Sequence, residues 1–198
     1  MASWRRLNQP RQAEFVRDVL QNASVREIFA RWQHLLLPDG WLVAGCLFQT
    51  VWNLRSGALP AAGIKDYDFF YFDASDMSAA GEEAVQDQVA AALADLHITV
   101  EAINQARVHL WYEEHFGHPY APLSDSREGI ARFLVPATAV GLRPAGDAWD
   151  LHAPYGLDLM YDGVLTPNPL TDHRDLFRRK AASYQQRWPW LRISEEGL

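Results

Sequence analysis

Cysteine is nearly absent: Cys46 is the one cysteine in 198 residues. An internal disulfide and a CxxC zinc site are therefore both excluded. No stretch approaches the roughly 20 consecutive apolar residues of a membrane-spanning helix. The opening MASWRRLNQPRQAEF carries no apolar run of signal-peptide length. The expectation is a cytoplasmic protein without a membrane partner. Excess positive charge is missing as well. Eighteen Lys and Arg stand against 25 Asp and Glu, a formal net charge of -7. An acidic surface disfavours long nucleic acid, which is gripped through its phosphates by a basic face. A mononucleotide is still compatible, since it needs only a local positive pocket and a metal ion.

Internal repeats, low-complexity tracts and long linkers are lacking too. Hydrophobic residues make up 48% and charged residues 22%, an ordinary globular balance. The length suits one domain with a real core. Within residues 1–198 we expect a helical N-terminal part (1–40), a sheet-containing core (41–152) and a helical C-terminal part (153–198).

Residues 10–21 have helical spacing. Ser24 opens a second helix, and Glu27 completes a capping-box pattern; Asn22-Ala23-Ser24 matches a glycosylation acceptor but reads as the junction of these helices. Trp41–Ala44 is a short apolar strand, 46–54 a helix, and 55–65 a loop rich in Gly and Pro. DYDFFYFD (66–73) is a strand dense in aromatics. Helix from Ser78 to Leu96 and strand over 98–103 follow. Further helices are expected over 105–115, 126–134, 157–161 and 172–187, and strands over 138–143 and 149–152. Alternation of this kind predicts an α/β (α+β) fold, a mixed β-sheet flanked by helices.

The most informative segment is GIKDYDFFYFD (63–73). Asp66 and Asp68 stand two apart at the start of a strand, so both carboxylates point to one face. Like charges that close repel unless a cation lies between them, and a hard, oxygen-preferring ion such as Mg²⁺ suits them. A bare DxD pair is also common on solvated strand edges, so its surroundings must decide. Upstream, WLVAGCLFQTVWN (41–53) runs from strand through Gly45 directly into a helix. That lets backbone approach a phosphate, with free N–H groups at Gly45 and Cys46. Downstream, ITVEAI (98–103) sets Glu101 between apolar residues, where a carboxylate is costly unless paired or on metal.

This order of strand, Gly, helix, DxD strand and third acid resembles the polymerase-beta-like nucleotidyltransferase superfamily. There a Gly-Gly or Gly-Ser pair opens the helix; Gly45-Cys46 keeps the backbone role without a Ser hydroxyl. The phrases AGCLFQTVWNLRSG (44–57), GIKDYDFFYFD (63–73), NQARVHLWY (104–112) and APYGLDLMYDGVLTPNP (153–169) resemble a bacterial nucleotidyltransferase-like family of unassigned substrate. The resemblance spans roughly residues 25–190. That family's pattern often has paired acids after the glycine and an Arg before Pro-Asn; this chain departs with Asp158-Leu159 and Thr166. The resemblance implies a nucleotidyltransferase-type fold, with Mg²⁺ (or Mn²⁺) on Asp66, Asp68 and Glu101 as metal and catalytic residues. It further implies a nucleoside triphosphate as substrate, and transfer of a nucleoside monophosphate to the hydroxyl of an unknown small-molecule or protein acceptor.

Supporting candidates are Lys65 beside Asp66, and Asn104, Gln105 and Arg107 after the Glu101 strand, which could bind nucleotide or simply cap and pair. Arg143 and Lys180 could touch a triphosphate, though single cations are more often surface charges. His115 and His118 flank Gly117 without the further ligands of a zinc site. Cys46 has no visible His partner. Trp188-Pro189-Trp190 could dock a partner. An alternative function is a catalytically inactive nucleotide-binding or partner-binding protein on the same fold. A member of a toxin–antitoxin or defence pair that nucleotidylates a partner is a third reading.

Overall fold

The computed structural model describes residues 9–171 and 173–194. The opening MASWRRLN, and Asp172 where the last helix was expected to start, lie outside them. In chain order the elements are α1 (Gln9–Val19), α2 (Ala23–Ala30), β1 (Trp41–Val43), α3 (Gly45–Arg55), β2 (Asp66–Tyr71), α4 (Ala79–Ala92) and β3 (Thr99–Asn104). Then follow α5 (Tyr112–Phe116), α6 (Ser126–Ala131), β4 (Gly141–Ala145), β5 (Ala148–His152), α7 (Asp158–Asp162), β6 (Val164–Leu165), α8 (Arg174–Arg187) and β7 (Arg192–Ile193).

Five strands form one mixed sheet in the order β3-β2-β1-β4-β5. Only β2 and β3 run parallel, because α4 returns the chain between them; the other pairs are antiparallel. The alternation in DYDFFY is what fixes the faces. Tyr67, Phe69 and Tyr71 are buried on one side, while Asp66, Asp68 and Phe70 lie half-buried on the other. Strand β3 is an edge, and α4 covers it with side chains. Gln86 donates to the Val100 carbonyl at 2.9 Å and accepts from the Ala102 amide at 2.7 Å, and Glu82 accepts from the Asn104 amide at 2.9 Å. Those bonds satisfy the outer backbone groups that an edge strand exposes.

Several expectations shift. Helix α2 is capped not by Ser24 with Glu27 but by Asn22, whose side chain accepts from the Ser24 and Val25 amides. Asn22 is fully buried and also donates to Thr50 Oγ1 at 3.1 Å, so it is a junction residue. The helix expected over 105–115 is a single turn at Val108–Leu110 followed by α5. Asn104 Oδ1 captures the Ala106 amide at 3.1 Å and so favours a turn there. The strand expected from 138 begins at Gly141, since Pro136–Thr138 forms a 3-10 turn in which Thr138 Oγ1 donates back to the Val135 carbonyl. The two-residue strands β6 and β7 pair in parallel as a separate ribbon; they are too short to show alternation in sequence. Trp188 is buried rather than free to dock a partner. Among the described residues, no helix is long and apolar enough to cross a membrane.

The TPNP turn is fixed by Asn168, which is 3% exposed. Its amide nitrogen donates to the Ala131 and Phe133 carbonyls, both at 2.7 Å, and its Oδ1 lies 2.8 Å from the Leu170 amide and the Tyr155 hydroxyl. Removing it leaves the Phe133 carbonyl without that donor and the Ala131 carbonyl with the Tyr155 hydroxyl alone. We predict that Asn168→Ala lowers stability by about 2–4 kcal/mol in denaturant melts, and that Asn168→Asp, which loses the donors and sets a carboxylate oxygen against the two carbonyls, lowers it at least as much; equal stability of wild type and Asn168→Ala sinks the assignment.

Candidate functional site

The half-buried face of β2 carries Asp66 and Asp68, and the parallel register places Glu101 of β3 directly beside Asp68. On the other side, antiparallel β1 sets Val43 opposite Asp68. The chain leaves β1 through Ala44 at φ 41°, the left-handed region a side chain rarely adopts. That turn starts α3 against the two aspartates. A Cβ built on Gly45 would stand 3.4 Å from Asp68 Oδ2 and 3.8 Å from Asp66 Oδ1. The Gly45 and Cys46 amides lie in the first turn of α3, where no helix carbonyl can reach them.

Three acids on one face disturb one another. The Asp68 carboxyl is pushed up to about 7, first by burial and then by the charges of Asp66 and Glu101, with Lys180 pulling partly the other way. The Cys46 thiol is raised well above its ordinary value, chiefly by burial and then by Asp68. It is fully buried, which removes it as a nucleophile. Tyr184 is likewise raised, first by burial and then by Asp68 and Asp66, so its phenol stays protonated.

A cavity of about 270 Å³ opens over this face, near the lower end of the roughly 300–1,000 Å³ of small-molecule sites. Gly45, Asp66, Asp68 and Glu101 line it together. Gln49, Phe133, Thr138, Lys180 and Tyr184 do so as well. A broader groove of about 570 Å³ beside α4 shares Asp66 and Glu101 and is bordered by Trp111. Glu101 is exposed rather than enclosed in its strand, because β3 is the sheet edge.

Other expected residues stand elsewhere. Lys65 is exposed and does not line the cavity. Asn104 and Arg107 lie past Glu101, Asn104 about 10 Å further along the strand. Asn104 is buried and spans the Asp73 amide and carbonyl. Gln105 is also buried, and Arg107 is paired with Glu82. Arg143 is held by Asp39 and Asp150 at 2.9 Å each and stacks on Trp41. The cation that does reach the site is Lys180, one of two lysines in the chain. It comes from α8, 79 residues beyond Glu101, so local spacing gave no sign of it. The usable signal was a lysine and a tyrosine at i and i+4 on an amphipathic helix, which share a face.

Among the described residues, no group of three or more His, Cys, Asp or Glu side chains converges tightly enough to hold a metal ion as it stands. The donor chemistry nevertheless fits a hard divalent cation. The acids are all carboxylates, one is strongly destabilised as an anion, and the neighbouring Gly45 leaves the space a Cβ would fill.

A family model described as nucleotidyltransferase matches residues 30–193. Among solved structures, an NMR structure described as revealing a CCA-adding enzyme head domain is similar over 93% of this chain and 96% of that one, with a TM-score of 0.76 and 24% identity. At that identity the likeness is one of fold, and the fold is of the nucleotidyltransferase type. No curated protein matches.

If repulsion among the acids strains the face, relieving it stabilises the protein. Asp68→Asn is predicted to raise stability in metal-free buffer near pH 8 by on the order of 1–2 kcal/mol, read as a higher unfolding midpoint. A variant less stable than wild type under those conditions contradicts this account.

Proposed function

This chain belongs to the nucleotidyltransferase family, and on that premise we propose that it transfers a nucleoside monophosphate from a nucleoside triphosphate to the hydroxyl of a small-molecule or protein acceptor. The observation that carries the reading is the shared cavity: Asp66, Asp68 and Glu101 face the glycine-opened start of α3, with Lys180 beside them.

The residues divide the work by charge. The amide at Gly45, with the positive end of the α3 dipole, binds the triphosphate, while Cys46, fully buried and outside the cavity lining, makes no direct contact. Lys180 adds a mobile positive charge to the triphosphate, and the protonated Tyr184 hydroxyl is a donor nearby. Asp66, Asp68 and Glu101 would hold Mg²⁺ or Mn²⁺, and with it bound the site gains the positive charge that neutralises the triphosphate and the departing pyrophosphate. The acceptor oxygen attacks the α-phosphorus, and the bond from that phosphorus to the bridging oxygen breaks. Glu101 accepts the acceptor's proton; its exposure on the edge strand, at the mouth of the groove beside α4, suits an acceptor arriving from solvent. Lys65, Asn104 and Arg107 have no part in this assignment, since the first does not line the cavity and the others are engaged at and beyond the end of β3.

Nucleotide or partner binding without turnover is a second reading. It draws support from the fact that the three carboxylates do not close on a common point.

Calorimetry with Mg²⁺ and each of the four common ribonucleoside triphosphates is the test. We expect wild type to bind at least one of them only when metal is present, and Asp66→Asn/Asp68→Asn to lose that binding while keeping its fold. Folded wild type that binds none of them refutes the proposal; binding without pyrophosphate release across an acceptor panel selects the second reading. Lys180→Met is expected to weaken triphosphate binding roughly tenfold, with the deficit shrinking as salt rises. A deficit independent of salt contradicts a phosphate contact.

A further inference from the structure

Phe133 lines the cavity beside the carboxylates, yet nothing in phosphate chemistry calls for an aromatic ring there. It follows α6 in the chain and lines the same cavity as Gly45 of α3. Its ring lies 5.4 Å from that of Phe70 with an interplanar angle of 7°, an offset stack. Phe70 follows Asp66 and Asp68 on the same face of β2. The acids and the aromatic pair therefore form one continuous surface, charged at one end and apolar at the other.

The placement of Phe133 is fixed from behind. Asn168, buried in the TPNP turn, grips the Ala131 and Phe133 carbonyls at 2.7 Å, and the Asn168 amide donates to the Leu134 carbonyl at 3.2 Å. A buried side chain with four polar partners holds this wall rigid, so little entropy remains to be lost when a ligand stacks on it. Phe133 itself stays partly exposed. Leu134, Val135 and Thr138 continue the same wall.

We propose that Phe133 is the stacking platform for the nucleobase of the triphosphate. This rests on the nucleotide-binding reading of the same cavity and adds where the base goes. Stacking on a ring tolerates any base, since each has a π-face, so Phe133 supplies affinity for nucleotides over bare polyphosphate rather than a choice among bases. Asn168 acts as a positioning residue through the backbone of Phe133.

The test compares Mg-ATP with Mg-tripolyphosphate, which has the phosphates and no base, by calorimetry on wild type, Phe133→Ala, Phe133→Leu and Phe133→Tyr. Leu keeps apolar bulk without a ring, and Tyr restores the ring. We expect the Ala and Leu variants to lose about tenfold or more in Mg-ATP affinity, with tripolyphosphate affinity unchanged and Mg-ATP affinity recovered in the Tyr variant. An equal loss for both ligands marks a packing role and overturns the platform, as does Mg-ATP binding that none of the substitutions alters. Wild type that binds tripolyphosphate but gains nothing from a nucleoside overturns the platform alone. Wild type that binds neither overturns the platform together with the nucleotide reading beneath it.

Discussion

The aromatic interlock between α3 and α8 is the contact on which the site depends. Phe48 and Trp52 of α3 meet Tyr184 and Trp188 at ring separations of 5.1–5.4 Å. Trp188 also donates to Asn53 Oδ1, and Asn53 in turn donates to the Pro60 and Ala62 carbonyls. Burying such side chains contributes about 1.5–3 kcal/mol apiece, and each well-set ring pair about 0.5–1.5 kcal/mol more. A part-exposed charge near a carboxylate contributes about 0–1 kcal/mol. Packing therefore decides where α8 sits, and Lys180 is carried to the carboxylates by it. The attraction between Lys180 and the acids is too weak to have placed the helix.

The same interlock sets a tension. It closes apolar surface over a face that holds Asp66 and Asp68, and burial is the largest influence raising Asp68. A fold selected only for stability has no use for that. The strained Ala44 turn adds to the impression, since a non-glycine residue at φ 41° persists only where its surroundings enforce it. Charge repulsion and backbone strain meet at the start of α3, beside the two aspartates. The Asn168 clamp fixes the stretch after α6, which lines the same cavity, by hydrogen bonds. The cavity thus has two rigid sides, one held by apolar packing and one by a satisfied polar hub.

What could be read in advance follows from the range of the physics involved. Period-two alternation put Asp66 and Asp68 on one face, and Gly45 at a strand-to-helix turn marked the approach to it. Both are features of consecutive residues. Asn104 and Arg107 looked like site residues because they follow Glu101 closely. Yet in a parallel pair the strand carries them away from it, toward Asp73 and Glu82. The capping box at Ser24 and Glu27 gave way to Asn22 because a buried amide that also meets Thr50 outcompetes an exposed local cap. Glu101 was expected to be enclosed; it is exposed because its strand is the edge, and strand order is not written in local pattern.

The sequence by itself determined the types of the longer elements, the face on which the two aspartates stand, and membership of a family, since each depends on residue order or on the run of neighbours within a turn or a strand. The tertiary structure alone decided that Asp68 faces Glu101 in register, and that Lys180 and Phe133 join them. The physical reason is that side chains distant in sequence meet only after strands have paired and buried rings have locked, and those energies belong to the assembled surfaces rather than to any segment of the chain.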